Sequence, residues 1–208
     1  SGHMNIVLLT NILTPYRMAL FKELESQLVS EGGTLRVLAM ADTEPNRSWQ
    51  YDDLSTDATT LLHHITIPLG GAYVHLCQGL TEALQSANPD VVICAGSYLS
   101  PAVWQVMLLR HMKSHDYATV FWSESHANEV HGRSRPTRLL RGLIRRAVLP
   151  RFDGFLYPGE MSLQFIERYN SPSAINLFFP NTVDDPFFNQ ARESMAPRRQ
   201  ELRASYGV

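Results

Sequence analysis

Short apolar runs alternate with helix-patterned stretches along this chain, and that rhythm narrows the possible folds more than any other feature. Residues 5–10 (NIVLLT) form an apolar run that breaks at a turn-like segment, 11–15. Residues 17–29 follow, with Met18, Leu20, Phe21, Leu24 and Leu28 near helical spacing, until Gly32-Gly33 stops the pattern. Further strands are expected at 35–40 (LRVLAM), 62–67 (LHHITI), 90–95 (DVVICA), 119–122, 154–157 and 174–179. Helices are expected at 73–87, 101–112, 135–149 and 162–169. DVVICA is nearly all apolar, as a strand must be when helices cover both faces of a parallel sheet. The sequence thus predicts a doubly wound, Rossmann-like α/β fold: a parallel sheet of about seven strands, helices on both faces, right-handed crossovers.

One stretch interrupts the rhythm. Residues 41–60 are about twenty mostly polar positions between two strands, longer than a compact domain normally leaves without regular structure. Trp49 and Tyr51 within it favour a loop that packs against the body. Ser1-Gly2-His3, ahead of Met4, reads as a tag remnant, and residues 4–179 as the sheet domain. The apolar fraction of 44% is enough for a substantial core and argues against disorder. No apolar run approaches the ~18 residues needed to span a bilayer. A cytoplasmic protein is expected, because no secretory segment is legible and Cys77 and Cys94 read as buried free thiols.

In open parallel sheets ligands bind beyond the carboxyl ends of the strands, near helix N-termini. Those segments are 10–17, 70–73, 95–100, 123–131 and 158–162. Residues 10–16 read TNILTPY, not the GxGxxG of a dinucleotide site, and no Walker lysine loop follows any strand. Nicotinamide binding and ATP hydrolysis are therefore disfavoured, and no cofactor is expected. His63-His64 is not a metal pair, because adjacent strand residues point to opposite faces; no metal is expected.

The segment TNILTPYRMALFKEL resembles the opening of many members of glycosyltransferase family 4, in which a Pro-Tyr-Arg turn leads into the first helix. Asn46-Arg47-Ser48-Trp49 resembles an Arg-x-Trp loop of one subgroup, and Asn88 to Ile93 (NPDVVI) is similar to the family's fourth strand. Phe179 to Asp184 (FPNTVD), followed by Phe187-Phe188, resembles its interdomain linker. The resemblance implies a GT-B architecture: two facing Rossmann-like domains that transfer sugar from a nucleotide-sugar donor, with retention and usually without a metal. It implies that residues 4–179 are the acceptor-side domain, and that 180–208 are a linker and the start of a C-terminal donor-binding domain. The implied acceptor is a glycan or lipid-linked intermediate of polysaccharide or glycolipid synthesis. The opening loop lacks the Gly-Gly that many members use for the donor diphosphate, and the paired-glutamate domain lies beyond the chain. The fragment by itself is expected to be inactive.

Against that background, His126 and Glu124 are candidate catalytic groups beside the acceptor hydroxyl; each is otherwise a loop side chain tied to backbone or solvent. Thr14, Tyr16 and Arg17 belong to the first strand-tip segment, where Arg17 offers a planar fork for phosphate or carboxylate, or else a solvated first-turn charge. Arg47 and Trp49 form a sugar platform or a loop anchor, and Ser97 and Tyr98 meet a sugar or cap the next helix.

Between Glu129 and Asp153 lie seven arginines and no acid. On a helical wheel Leu139, Leu140, Leu143, Ile144, Ala147 and Val148 occupy one half, expected to pack on the sheet. Arg138, Arg141, Arg145 and Arg146 occupy the other, an exposed stripe expected to meet anionic lipid headgroups or a lipid diphosphate. A stand-alone sugar- or nucleotide-binding module is the competing function. Nucleic-acid binding ranks last, because one basic patch comes with no recognition motif.

Overall fold

A computed structural model of the chain describes residues 3–45, 47, 49–69, 72–112, 116–124 and 135–207. The chain begins with β1 (Asn5–Thr10), α1 (Pro15–Ser30) and β2 (Thr34–Ala39). Next come α2 (Tyr51–Leu54), β3 (Thr59–Leu61), β4 (His63–Leu69), β5 (Ala72–Gln78) and α3 (Leu80–Ala87). They are followed by β6 (Val91–Ala95), α4 (Pro101–His111), β7 (Ala118–Trp122) and α5 (Arg135–Val148). The remainder is β8 (Gly154–Tyr157), α6 (Glu160–Glu167), β9 (Ile175–Phe178), α7 (Asp185–Met195) and α8 (Arg199–Ser205). Seven strands form one sheet in the order β3-β2-β1-β6-β7-β8-β9. Every pairing in it is parallel.

The period of two along each strand divides the core. Val7 and Leu9 of β1, Val92 and Cys94 of β6, Phe121 of β7 and Phe155 of β8 point to one face. There they meet Leu80 and Leu84 of α3, Val103 and Val106 of α4, and Phe165 and Ile166 of α6. Leu8, Leu35, Val37, Ala39, Ala95 and Trp122 point to the other face, where α1 covers them with Met18 and Phe21. Both layers exclude water over the centre of the sheet, and that burial drives the fold.

The expected doubly wound sheet is present, with two local corrections. The third strand of the sheet is Thr59–Leu61, inside the stretch expected to be irregular; residues 63–69 leave the sheet and pair antiparallel with Ala72–Gln78. The helix expected from residue 73 starts only at Leu80. Val74-His75-Leu76-Cys77 alternates apolar and buried-facing side chains, and Gly79, at φ +81°, ends the strand before the helix begins. The pair Leu69 and Ala72 brackets Gly70-Gly71 in sequence, a hairpin signal that the helical reading overlooked. The long polar stretch does pack: Tyr51 and Leu54 lie against the α1-side core.

Gly96 follows β6 at φ +149°, and a Cβ there would come within 2.6 Å of Asn11 Oδ1. Glycine alone lets the loops after β1 and β6 approach so closely. Gly96→Ala is expected to lower unfolding free energy by about 2 kcal/mol in urea titrations, with Gly96→Ala/Asn11→Ala recovering only the steric part. Both cysteines are free, Cys94 buried and Cys77 half-buried. Burial pushes their thiols up to about 12 and about 11 respectively. Native protein at pH 8 should therefore label with iodoacetamide far more slowly than urea-unfolded protein, and equal rates would contradict this packing.

Candidate functional site at the strand tips

Because the sheet is parallel, all its strands open at one edge, and the chain leaves β1 there directly into α1. Thr14 is the N-cap of α1, with Pro15 in the first turn; its carbonyl accepts from Arg17 N at 3.0 Å and Met18 N at 3.2 Å. Its hydroxyl makes no capping bond. Arg17, three residues on, turns back over the tips. Its Nη1 donates to Thr10 Oγ1 at 3.4 Å, and its guanidinium stands 4.6 Å from the Trp122 ring and 5.9 Å from the Tyr16 ring.

From β7 the chain supplies Trp122, Ser123 and Glu124. Arg17 Nη2 donates to Glu124 Oε1 at 2.5 Å, joining the end of β7 to the start of α1. The arginine side chain is only 12% exposed, whereas the carboxylate is 48% exposed and opens to solvent. Four buried polar atoms of these tip segments have no partner among the described residues: Thr14 Oγ1, Arg17 Nε, Trp122 Nε1 and Ser123 Oγ. Each such atom costs about 1–3 kcal/mol while it stays unpaired, so a concentration of them on one edge marks a place built for something else. Beside Arg17 and Trp122 a narrow cleft is lined by Tyr16, Arg17, Leu20, Trp122, Asn181 and Thr182. On the other side of Glu124, a hollow of about 430 Å³ reaches Pro158, Gly159 and Ser162 at the start of α6. Chemically, the arrangement offers a fixed cation and an accessible carboxylate, which suits a polyhydroxylated ligand.

Thr14, Tyr16, Arg17 and Glu124 are thus brought together. His126 lies outside the described residues. Trp49 anchors the long loop, donating from Nε1 to Leu13 O at 3.0 Å, with Arg47 5.3 Å from its ring. Ser97 is exposed and its hydroxyl accepts from Leu99 N in a local turn. Two expectations are corrected. Tyr98 is buried rather than open to a sugar, and its hydroxyl accepts from Arg145 Nε at 2.8 Å. Arg145 in turn is buried rather than part of an exposed stripe, enclosed by the rings of Tyr98, Phe165 and Tyr169. Burial opposes its charge, but Tyr98 and Tyr169 outweigh it and hold the guanidinium above its ordinary range. Arg141 is half-buried, and Arg138 and Arg146 are exposed. The apolar half of α5 is corrected as well: Leu139, Leu140 and Leu143 face solvent, and the core contacts come from Ile144 and Val148.

Sequence reasoning passed over Trp122, Ser123, Asn181 and Thr182. The signal for the first two was their place in the β7 tip segment; the other two belong to the FPNTVD stretch read only as a linker, and they reach the site because the chain after β9 returns to it.

A second polar cluster sits on the hairpin, where His75 Nε2 is 3.4 Å from Glu44 Oε1 and His64 Nε2 is 3.2 Å from Asp42 Oδ1. Burial pushes the His75 imidazole below its ordinary range against the pull of Glu44. No group of three or more potential metal ligands occurs among the described residues. A larger hollow of about 600 Å³ lies between α7 and α8 and is an open, apolar cleft between two exposed helices.

No family model and no curated protein matches the sequence. Among solved structures, a sucrose-phosphate synthase from Thermosynechococcus elongatus is similar at a TM-score of 0.50 and 12% identity, over 98% of this chain and 99% of that one. At that identity the likeness is one of fold.

If the Thr14 hydroxyl is unpartnered, Thr14→Val should leave the unfolding free energy unchanged or raise it by about 1 kcal/mol, since its extended backbone suits valine. Ser123→Ala should behave in the same way. A loss of 1 kcal/mol or so from either, in denaturant titrations, would mean that the hydroxyls serve the fold.

Proposed function

We propose that this chain is the acceptor-side domain of a glycosyltransferase of GT-B architecture, and that the cluster around Arg17 and Glu124 receives the acceptor. The observation that carries the reading is the Arg17–Glu124 ion pair at the strand tips, whose segments also hold buried polar atoms without a partner among the described residues. The sequence resemblance to glycosyltransferase family 4 and the fold shared with a sucrose-phosphate synthase support it from independent directions.

In this reading an acceptor hydroxyl sits against Glu124 and donates to its solvent-open carboxylate. The bond between the anomeric carbon and the phosphate oxygen of the nucleotide sugar breaks, and the acceptor oxygen bonds to that carbon with retention. The proton of the acceptor passes to a carboxylate or imidazole, for which Glu124 and His126 are the candidates. Arg17 holds Glu124 through Nη2 while Nη1 donates to Thr10, a pair of fixed directions that a lysine ammonium does not reproduce. A following domain would supply the donor nucleotide site, and the acceptor would be a glycan or a lipid-linked intermediate.

Kinetics of the full-length protein test this. Glu124→Gln is expected to lower kcat at least about 100-fold with little change in thermal unfolding, and His126→Ala to do the same if the imidazole shares the proton. Wild-type turnover in both variants would end the assignment. Calorimetric titration of nucleotide sugars into residues 1–208 distinguishes the competing binding module, because tight donor binding by this domain alone would favour the module.

A further inference from the structure

The outward surface of the helix layer formed by α4 and α5 is separate from the strand tips and does not depend on what they do. In α5, Ile144, Arg145 and Val148 turn toward the sheet, and Leu139, Leu140 and Leu143 turn away from it, 54–65% exposed. At 100° per residue the three leucines span about a quarter of the wheel, and Arg135, Arg138 and Arg146, all exposed, run along one flank. In α4 the same division recurs. Ala102, Val103 and Val106 are buried, and Trp104, Leu108 and the C-cap Met112, at i, i+4 and i+8, form an exposed stripe opposite them. Both helices pack on the same face of the sheet, so their exposed stripes point outward from one layer.

We infer that this layer is a docking surface for an anionic lipid bilayer, with the leucines and the α4 stripe entering the headgroup boundary and the arginines pairing with lipid phosphates. An apolar face edged by arginine with no acid on the helix is the composition of a helix that lies in a membrane interface. The exposed tryptophan at the margin fits the same boundary, where an indole ring sits well. A second copy of the chain is a poor occupant, because a two-fold contact would set Arg135, Arg138 and Arg146 near their own counterparts. No helix among the described residues is long and apolar enough to cross a membrane, so the contact is peripheral.

The test is co-sedimentation of the chain with vesicles of phosphatidylcholine alone and of phosphatidylcholine mixed with phosphatidylglycerol. Binding to the mixed vesicles is expected, weakening as salt rises. The variant Leu139→Ser/Leu140→Ser/Leu143→Ser should bind them about ten-fold or more less tightly, and so should Arg135→Gln/Arg138→Gln/Arg146→Gln. Circular dichroism and thermal unfolding should be unchanged in both, since these side chains are already exposed. Absence of binding by the parent chain overturns the proposal, as does parent-like binding by the leucine variant. Quenching of Trp104 by bromolipids provides a second reading: a Trp104→Phe change that leaves the quenching intact would place the membrane contact elsewhere and overturn it too.

Discussion

A sheet whose strands all run the same way must send every connection back over one of its faces, and most of this molecule's features follow from that requirement. The crossovers become helices, the helices bury both faces, and the strands between them must be apolar on both sides, as VVICA is. The same requirement gathers every strand end and the entry to each crossover helix on a single edge. Polar backbone and side-chain groups that would be costly in the core can collect there. Gly96 tightens this edge further, because the loops after β1 and β6 approach to a distance that a side chain would forbid.

At that edge the Arg17–Glu124 pair connects segments more than a hundred residues apart in the chain. The pair is asymmetric: the cation is mostly buried against Trp122 and the anion is half open. Such an arrangement holds a carboxylate at a fixed point without removing it from solvent. Two hydroxyls and an indole N–H in the segments that carry the pair have no hydrogen-bond partner among the described residues. A domain normally keeps few such atoms, and their grouping beside the one accessible carboxylate of the cluster gives the edge its chemical character.

The α5 helix teaches a different lesson. Its wheel divides into apolar and basic halves, and the apolar half was expected on the sheet. Arg145 goes inward instead, because Tyr98 after β6 and Phe165 and Tyr169 around α6 form a pocket whose ring faces and hydroxyls can hold a guanidinium. With Arg145 inside, the helix is rotated, and Leu139, Leu140 and Leu143 are carried outward. An amphipathic pattern states that two faces differ. It does not state which one the neighbours prefer.

Local pattern alone determined the strand–helix rhythm, the parallel sheet of about seven strands and the two faces of the core, since period-two alternation and helical spacing are properties of neighbouring residues. It also placed Thr14, Tyr16, Arg17 and Glu124 at strand tips. The hairpin of β4 and β5 was legible in the alternation around Gly70-Gly71 but lost to the helical signal just downstream. Only the tertiary structure decided that Arg17 reaches Glu124, that Trp122 and Ser123 join them, that Asn181 and Thr182 return to line the cleft, and that Tyr98 and Arg145 are interior. The physical reason is distance along the chain: these contacts join residues far apart in sequence, and side chains brought together by the crossovers leave no periodic trace for a local reading to find.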